Sequence, residues 1–413
     1  MHMDNLRAKL KIDFSSVGAY LATLLAFAIP VSTALTTVSM ILILLLWLFS
    51  PNIKPRITLY FQNPLTPYIG ALVGVVFIGM TYSPAAPADI FDVCKDAVRL
   101  SFIPLLMYYL QDDKHRLWVG KAFVCAMVLT MVLGYCKVYG GLPIGEKYTV
   151  GAVFKSHIKT SYFMALAAFF TVLYGIQHPK QRWWLGILVV LMMHYLFFLS
   201  VGRIGHLTLF VLSLVFAWRR WKFKGFVCAG IALCLLFALA YQSSSVFSDR
   251  INLLKRDWVL YQEGGRLIES SLGSRIEFAD SSMRIFATSP VVGIGTGAYA
   301  HGYETLHKDE TILMTVNPHN EYLRFMVETG CIGLIVLLAL FFKQWQLTRQ
   351  LPPNQRLLAQ GCLVSFYVGC LLNSWLADFT EAYFYCLFSA VLFSKLGREF
   401  VSEPAPVELE QAL

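Results

Sequence analysis

Three residues far apart in the chain pair a reactive group with a setting that suits work on an anion. Arg203 lies in Leu199-Ser-Val-Gly-Arg-Ile-Gly-His206, between two apolar runs, with no other formal charge between Arg182 and Arg219. A charge at membrane depth is costly unless it is paired or useful. The guanidinium is a planar, permanently charged fork that fits phosphate oxygens; the alternative is an arginine that snorkels to the interface. Arg275 belongs to Ser274-Arg-Ile-Glu277, which fits a capping box with Ser274 as N-cap and Glu277 at N3. That reading sets Arg275 in a first helical turn beside free N–H groups, a seat for a phosphate, or leaves it a solvated surface charge. His319 lies in Asn317-Pro-His-Asn-Glu321, which reads as a helix start with Asn317 as N-cap and Pro318 at N1. A helix N-terminus disfavours imidazolium, so the ring there is suited to accept a proton, while a nearby anion acts in the opposite sense. A histidine that only anchors the helix end is the alternative.

Weaker candidates surround these. Arg284 has Asp280 at i−4, the spacing of an ordinary helical salt bridge, and lies on the opposite side of a regular helix from Arg275. His206 lies near Arg203 and could line the same site, and Asn320 neighbours His319. His301 and His307 lack metal-like partners, and His194 reads as a packed residue. A basic stretch over 137–159 carries Lys137, Lys147, Lys155, His157 and Lys159. The nine cysteines lie mostly in apolar runs, with no CxxC pair and no Cys/His spacing that suits zinc, so neither metal nor cofactor is expected. Gly293-Ile-Gly-Thr-Gly297 resembles a nucleotide loop only superficially, since it follows no strand; it reads as a tight turn.

The elements that must carry these residues are membrane helices. Of the 413 residues, 57% are hydrophobic and 14% charged, and the mean hydropathy is +0.59. Soluble proteins average about 25% charged residues, so a soluble enzyme is excluded. The fold expected is all-α and polytopic. About twelve apolar runs approach the length of a spanning helix, near 15–31, 33–50, 66–82, 98–110, 117–136, 160–177, 183–200, 204–218, 224–242, 320–342, 358–376 and 379–396. Lys/Arg bias sets the orientation. With Arg7, Lys9 and Lys11 inside, the inside connections carry Lys54/Arg56, Lys114/Arg116, Lys180/Arg182, Arg219/Arg220/Lys222/Lys224, Lys343/Arg349/Arg356 and Lys395/Arg398. Both termini are then cytoplasmic. The net charge of +9 is spent on orientation, and no nucleic-acid partner is expected. The organisation expected is spans 1–9 over 1–242, an ordered outside loop with short helices over 243–319, spans 10–12 over 320–398 and a disordered tail over 399–413.

Two stretches, Pro290-Val-Val-Gly-Ile-Gly-Thr-Gly-Ala-Tyr299 and Asn317-Pro-His-Asn-Glu-Tyr-Leu-Arg-Phe-Met-Val-Glu-Thr-Gly-Cys-Ile-Gly333, together with Arg203, carry a resemblance to the bacterial O-antigen ligase and O-antigen polymerase superfamily. It is sharpest over roughly 185–340. It implies a metal-independent, inverting glycosyltransferase of the bacterial inner membrane with a periplasmic site. An O-antigen ligase moves glycan from undecaprenyl diphosphate to a sugar hydroxyl of lipid A–core. By the resemblance His319 would be the general base, and Arg203 and Arg275, with Arg284 a weaker candidate, would bind the diphosphate. Lys155 and Lys159 would receive acceptor phosphates. One long late loop favours ligase over polymerase, and a pilin O-oligosaccharyltransferase is the third member to weigh. A lipid-linked glycan transporter is the reading from another class, disfavoured because the spans hold almost no midplane charge.

Overall fold

The computed structural model describes residues 13–51, 53–145, 150–262, 271–308 and 314–397. The basic N-terminal residues, Lys147, Arg398 and the expected tail over 399–413 lie outside them. The described residues fold as helices and turns, with no strand among them. In chain order the helices are α1 (Phe14–Val31), α2 (Thr33–Phe49), α3 (Ile53–Gln62), α4 (Thr66–Met80), α5 (Pro87–Arg99), α6 (Phe102–Tyr109), α7 (Asp113–Gly140) and α8 (His157–Gln177). They continue as α9 (Arg182–His194), α10 (Arg203–Ser243), α11 (Ser245–Gln262), α12 (Ser271–Thr288), α13 (Tyr299–Leu306), α14 (Glu321–Leu347), α15 (Pro353–Cys370) and α16 (Phe379–Phe393).

Every expected apolar run is helical, but not every one is by itself a helix of spanning length. Six helices among the described residues are long and apolar enough to cross a membrane, and α2 with α3, bent by 113°, makes up to seven. The chain is therefore a polytopic membrane protein, and the other expected runs lie in shorter helices or share one helix. The difference lies where runs break into turns. The run near 98–110 yields the eight-residue α6, and the run near 358–376 stops being helical at Cys370. Two other expected spans lie within α10, whose Lys222 has φ 56° and ψ −143°. On a straight helix Phe210 and Phe237 would lie about 40 Å apart, yet their ring centroids are 6.3 Å apart. α10 thus doubles back at its basic centre, and Arg203 returns to the same end as Ser243.

Aromatic packing joins the helices. Phe123 of α7 meets Phe163 and Phe170 of α8 and Phe384 and Phe388 of α16, at centroid distances of 5.2–5.7 Å. Such pairs add about 0.5–1.5 kcal/mol each beyond their area. Charge is also buried. Glu321, Arg324 and Glu328 on α14 and Arg99 on α5 are all buried. Arg324 Nε donates to Glu321 Oε1 at 2.9 Å, and Leu376 N donates to Glu321 Oε2 at 2.7 Å. Arg99 pairs with Asp96 at 2.5 Å and lies over the Tyr383 ring. A charge inside apolar surroundings is tolerable only when paired in this way, so these groups brace one end of the bundle.

Candidate functional site

Four helices begin side by side at that braced end. A Cβ on Gly202, the N-cap of α10, would press into Ser161 and the His157 carbonyl, so α10 starts against the first turn of α8. Lys159 near the start of α8 reaches Glu381 Oε2 at 3.2 Å and Asp378 Oδ1 at 3.6 Å, at the start of α16. Ser374 donates to Asn317 Oδ1 at 2.6 Å and Leu376 to Glu321, tying the approach to α16 to the start of α14. Helix N-termini carry partial positive charge and unpaired N–H groups, so their convergence favours an anion.

His319 stands at this convergence, exposed, with φ 52°. A non-glycine residue in the left-handed region costs about 1–3 kcal/mol and persists only where its surroundings impose it, and here they do. Its N–H donates to Asn317 Oδ1 at 2.9 Å, its Nδ1 lies 2.9 Å from Asn373 Oδ1, and its ring lies 5.9 Å from that of Phe278. Asn373 Nδ2 donates in turn to Asp378 Oδ2 at 2.6 Å. The left-handed residue also corrects the expected helix start. The N-cap is Asn320, whose Oδ1 accepts from Tyr322 N and Leu323 N, and not Asn317. A helix cannot run through Pro318 and a left-handed His319, so it begins at Glu321.

The arginines converge as well. Arg203 is the first residue of α10. Arg275 is half-buried on α12, and burial first, then the Arg203 charge, lowers its pKa from the usual arginine value. The Arg203 charge thus reaches Arg275, and among the described residues neither guanidinium is held in an ion pair, which makes a place for an anion. Phe278, one turn on from Arg275 and on the same face, carries that face to His319. The expected capping box does not form, because Ser274 lies inside α12, which is already helical at Ser271. Arg275 therefore lies past a first turn, and its guanidinium is what it offers. Two further charges act on Arg203, from Arg250 and the buried Asp257 on α11.

The remaining candidates scatter. Arg284 is exposed, and among the described residues no ion pair joins it to Asp280, contrary to the i−4 expectation. His206 is buried between the rings of Phe197 and Phe247, a packing residue that does not line the site. His301 is exposed on α13, and Asn320 serves as a cap. Lys155 is half-buried; burial, then the Lys159 charge, pushes it down to about 8. Lys159 is bound to Asp378 and Glu381 rather than presented to a ligand.

The glycine-rich stretch acts as a clasp. Ile294 N donates to Val327 O at 3.0 Å and Gly295 N to Glu328 O at 3.0 Å. Thr296 donates through its backbone N–H to Gly79 O at 3.2 Å and through Oγ1 to Val76 O at 2.6 Å, both on α4. Gly293, Gly295 and Gly297 all have positive φ, and a Cβ on each would enter backbone of Glu328, Ser83 and Asp89. The tight turn expected there is present, and it fixes where α12 leaves α14. Sequence reasoning missed the turn over 371–378 and Arg250. A signal for the turn existed: Asn373-Ser374 and Asp378 interrupt an apolar run. Among the described residues no three His, Cys, Asp or Glu side chains group as metal ligands.

Residues 187–338 match the family model described as O-antigen ligase. Over this stretch the chain is similar to that family, and the match supports the O-antigen ligase and polymerase superfamily that the resemblance implied. The matched stretch holds Arg203, Arg275, the glycine clasp and His319. No curated protein matches the chain.

Proposed function

We propose that this chain, similar to the O-antigen ligase family over that stretch, is the ligase itself. It moves O-antigen glycan from undecaprenyl diphosphate to a sugar hydroxyl of lipid A–core at the periplasmic face of the bacterial inner membrane. The observation that carries the reading is a braced, exposed histidine whose ring neighbours Phe278, one turn from Arg275, with the Arg203 charge reaching Arg275. A lipid-linked diphosphate presents its charge at that depth. Arg203 and Arg275 bind the diphosphate and stabilise the charge that builds on it as it leaves. Their permanent charge supplies what a divalent cation supplies elsewhere. His319 takes the proton of the acceptor hydroxyl, that oxygen bonds to the anomeric carbon, and the carbon–oxygen bond to the diphosphate breaks with its electron pair. Attack from the side opposite the leaving group inverts the anomeric centre.

The expected acceptor role of Lys155 keeps support from its partial exposure; that of Lys159 loses support, because two carboxylates hold its ammonium. Reconstitution in lipid with undecaprenyl-diphosphate glycan and lipid A–core, in EDTA, tests the reading. Glycan on the core in wild type and its loss in folded His319→Ala is the expected result. Elongation of the donor glycan with none on the core would assign the polymerase instead.

A further inference from the structure

We propose that Asn373 and Asp378 are positioning residues that fix the tautomer of His319, holding the proton on Nδ1 and the lone pair on Nε2. The proposal rests on His319 being the base, and it follows from which groups can donate. A carboxylate only accepts hydrogen bonds, whereas a primary amide has an accepting end and a donating end. Asp378 Oδ2 lies 2.6 Å from the Asn373 side chain, so the NH2 end must face it. A flipped amide would set two acceptors against each other. The oxygen end is thereby turned to His319 Nδ1, 2.9 Å away, and can only accept there. In the neutral imidazole one nitrogen donates and the other accepts. Nδ1 therefore carries the hydrogen, and Nε2 receives the acceptor's proton.

The arrangement extends inward. Asp378 Oδ1 faces Lys159 at 3.6 Å, and Lys159 is also bound by the buried Glu381 at 3.2 Å. This ion pair keeps Asp378 in place, Asp378 orients Asn373, and Asn373 orients the ring. A second brace acts on the same backbone: Asn317 Oδ1 accepts from both His319 N and Ser374 Oγ, so the histidine and the asparagine are tied at neighbouring positions. When the ring becomes imidazolium, Nδ1–H still points at Asn373, and no bond needs remaking. The amide stands where a carboxylate orients the imidazole in many hydrolases, with the negative charge set one residue further back.

The test is solid-state 15N spectroscopy of full-length, 15N-histidine-labelled protein in lipid, with the His319 signal assigned by its loss in His319→Gln. The expected result is the Nδ1–H tautomer in wild type. In Asp378→Asn the amide is free to flip, the Nε2–H tautomer appears, and kcat falls by about 10²- to 10⁴-fold with donor KM within about twofold. Asp378→Glu restores part of kcat and of the wild-type spectrum. An Nε2–H ring in wild type overturns the proposal. So does an Asp378→Asn protein with unchanged tautomer and kcat. The wild-type spectrum decides alone where the variant does not fold. Because it reads no activity, an Nδ1–H ring in a protein that transfers nothing to the core would refute the ligase and leave the tautomer lock standing.

Discussion

Lys159→Met would leave Glu381, which is 0% exposed, and Asp378 without the ammonium that lies 3.2 and 3.6 Å from them. Breaking a buried ion pair from one side costs about 3–5 kcal/mol, because the surviving charge stays desolvated. The Lys159 side chain keeps 23% and Asp378 31% of its exposure, so the lower end, about 3 kcal/mol, is expected. Removing Glu381 as well, in Lys159→Met/Glu381→Gln, takes away the most deeply buried charge, and more than half the loss should return. The coupling energy between the two sites is then about 2–3 kcal/mol. Thermal unfolding of wild type, both single variants and the double variant in the same lipid measures it. Lys159→Met melting with wild type, or a double variant no more stable than Lys159→Met, would refute the ion-pair reasoning. A wild-type melting curve together with a raised acceptor KM would return Lys159 to the acceptor-binding role first read from sequence.

Arg275→Gln removes a charged donor aimed at the leaving diphosphate. Its kcat/KM for donor should fall by about 10- to 150-fold, the worth of one charge-assisted hydrogen bond, while the exposed Arg284→Gln stays within about threefold in the same assay. Lys155, pushed down to about 8, loses its proton between there and the usual lysine value. Acceptor KM should rise as pH climbs past about 8, and Lys155→Arg should flatten that rise. Over the same window the unfolded chain binds the additional proton, so the Lys155 contribution to stability rises with pH. Gly330 has φ 67° inside α14, and a Cβ there would enter the Val291 carbonyl. Gly330→Ala should cost about 2–4 kcal/mol from the left-handed backbone and overpacking, against little or no loss for Gly186→Ala, where a Cβ meets nothing within 4 Å; melting temperatures compare the two.

Legibility in the sequence followed the range of the interactions. Apolar run length is a local property, and each run proved helical. Which runs end early is decided by contacts with distant residues, which run length alone does not show. The doubling of α10 at Lys222 was half visible, as a basic patch between two apolar runs. His319, Arg203 and Arg275 stood out because a charge or an imidazole beside an apolar run has few bland explanations. The placement of His319 rests on a turn more than fifty residues downstream, where Asn373 and Ser374 reach back to His319 and Asn317 and Asp378 holds Asn373. Two helix starts were misread for one reason. Ser274 and Asn317 each satisfy a capping pattern, but Ser274 lies inside a helix already formed at Ser271, and the left-handed His319 delays the other start to Glu321. Asp280 and Arg284 had the spacing of a salt bridge, yet both are solvated, where such a pair gains little.

Donor binding and single-turnover transfer, measured side by side for wild type and His319→Ala in lipid, test the central claim most directly. The account predicts donor affinity within about twofold, because Arg203 and Arg275 are untouched, and a transfer rate to lipid A–core lower by about 10²- to 10⁴-fold. A His319→Ala protein that binds donor and still transfers glycan at the wild-type rate would contradict it.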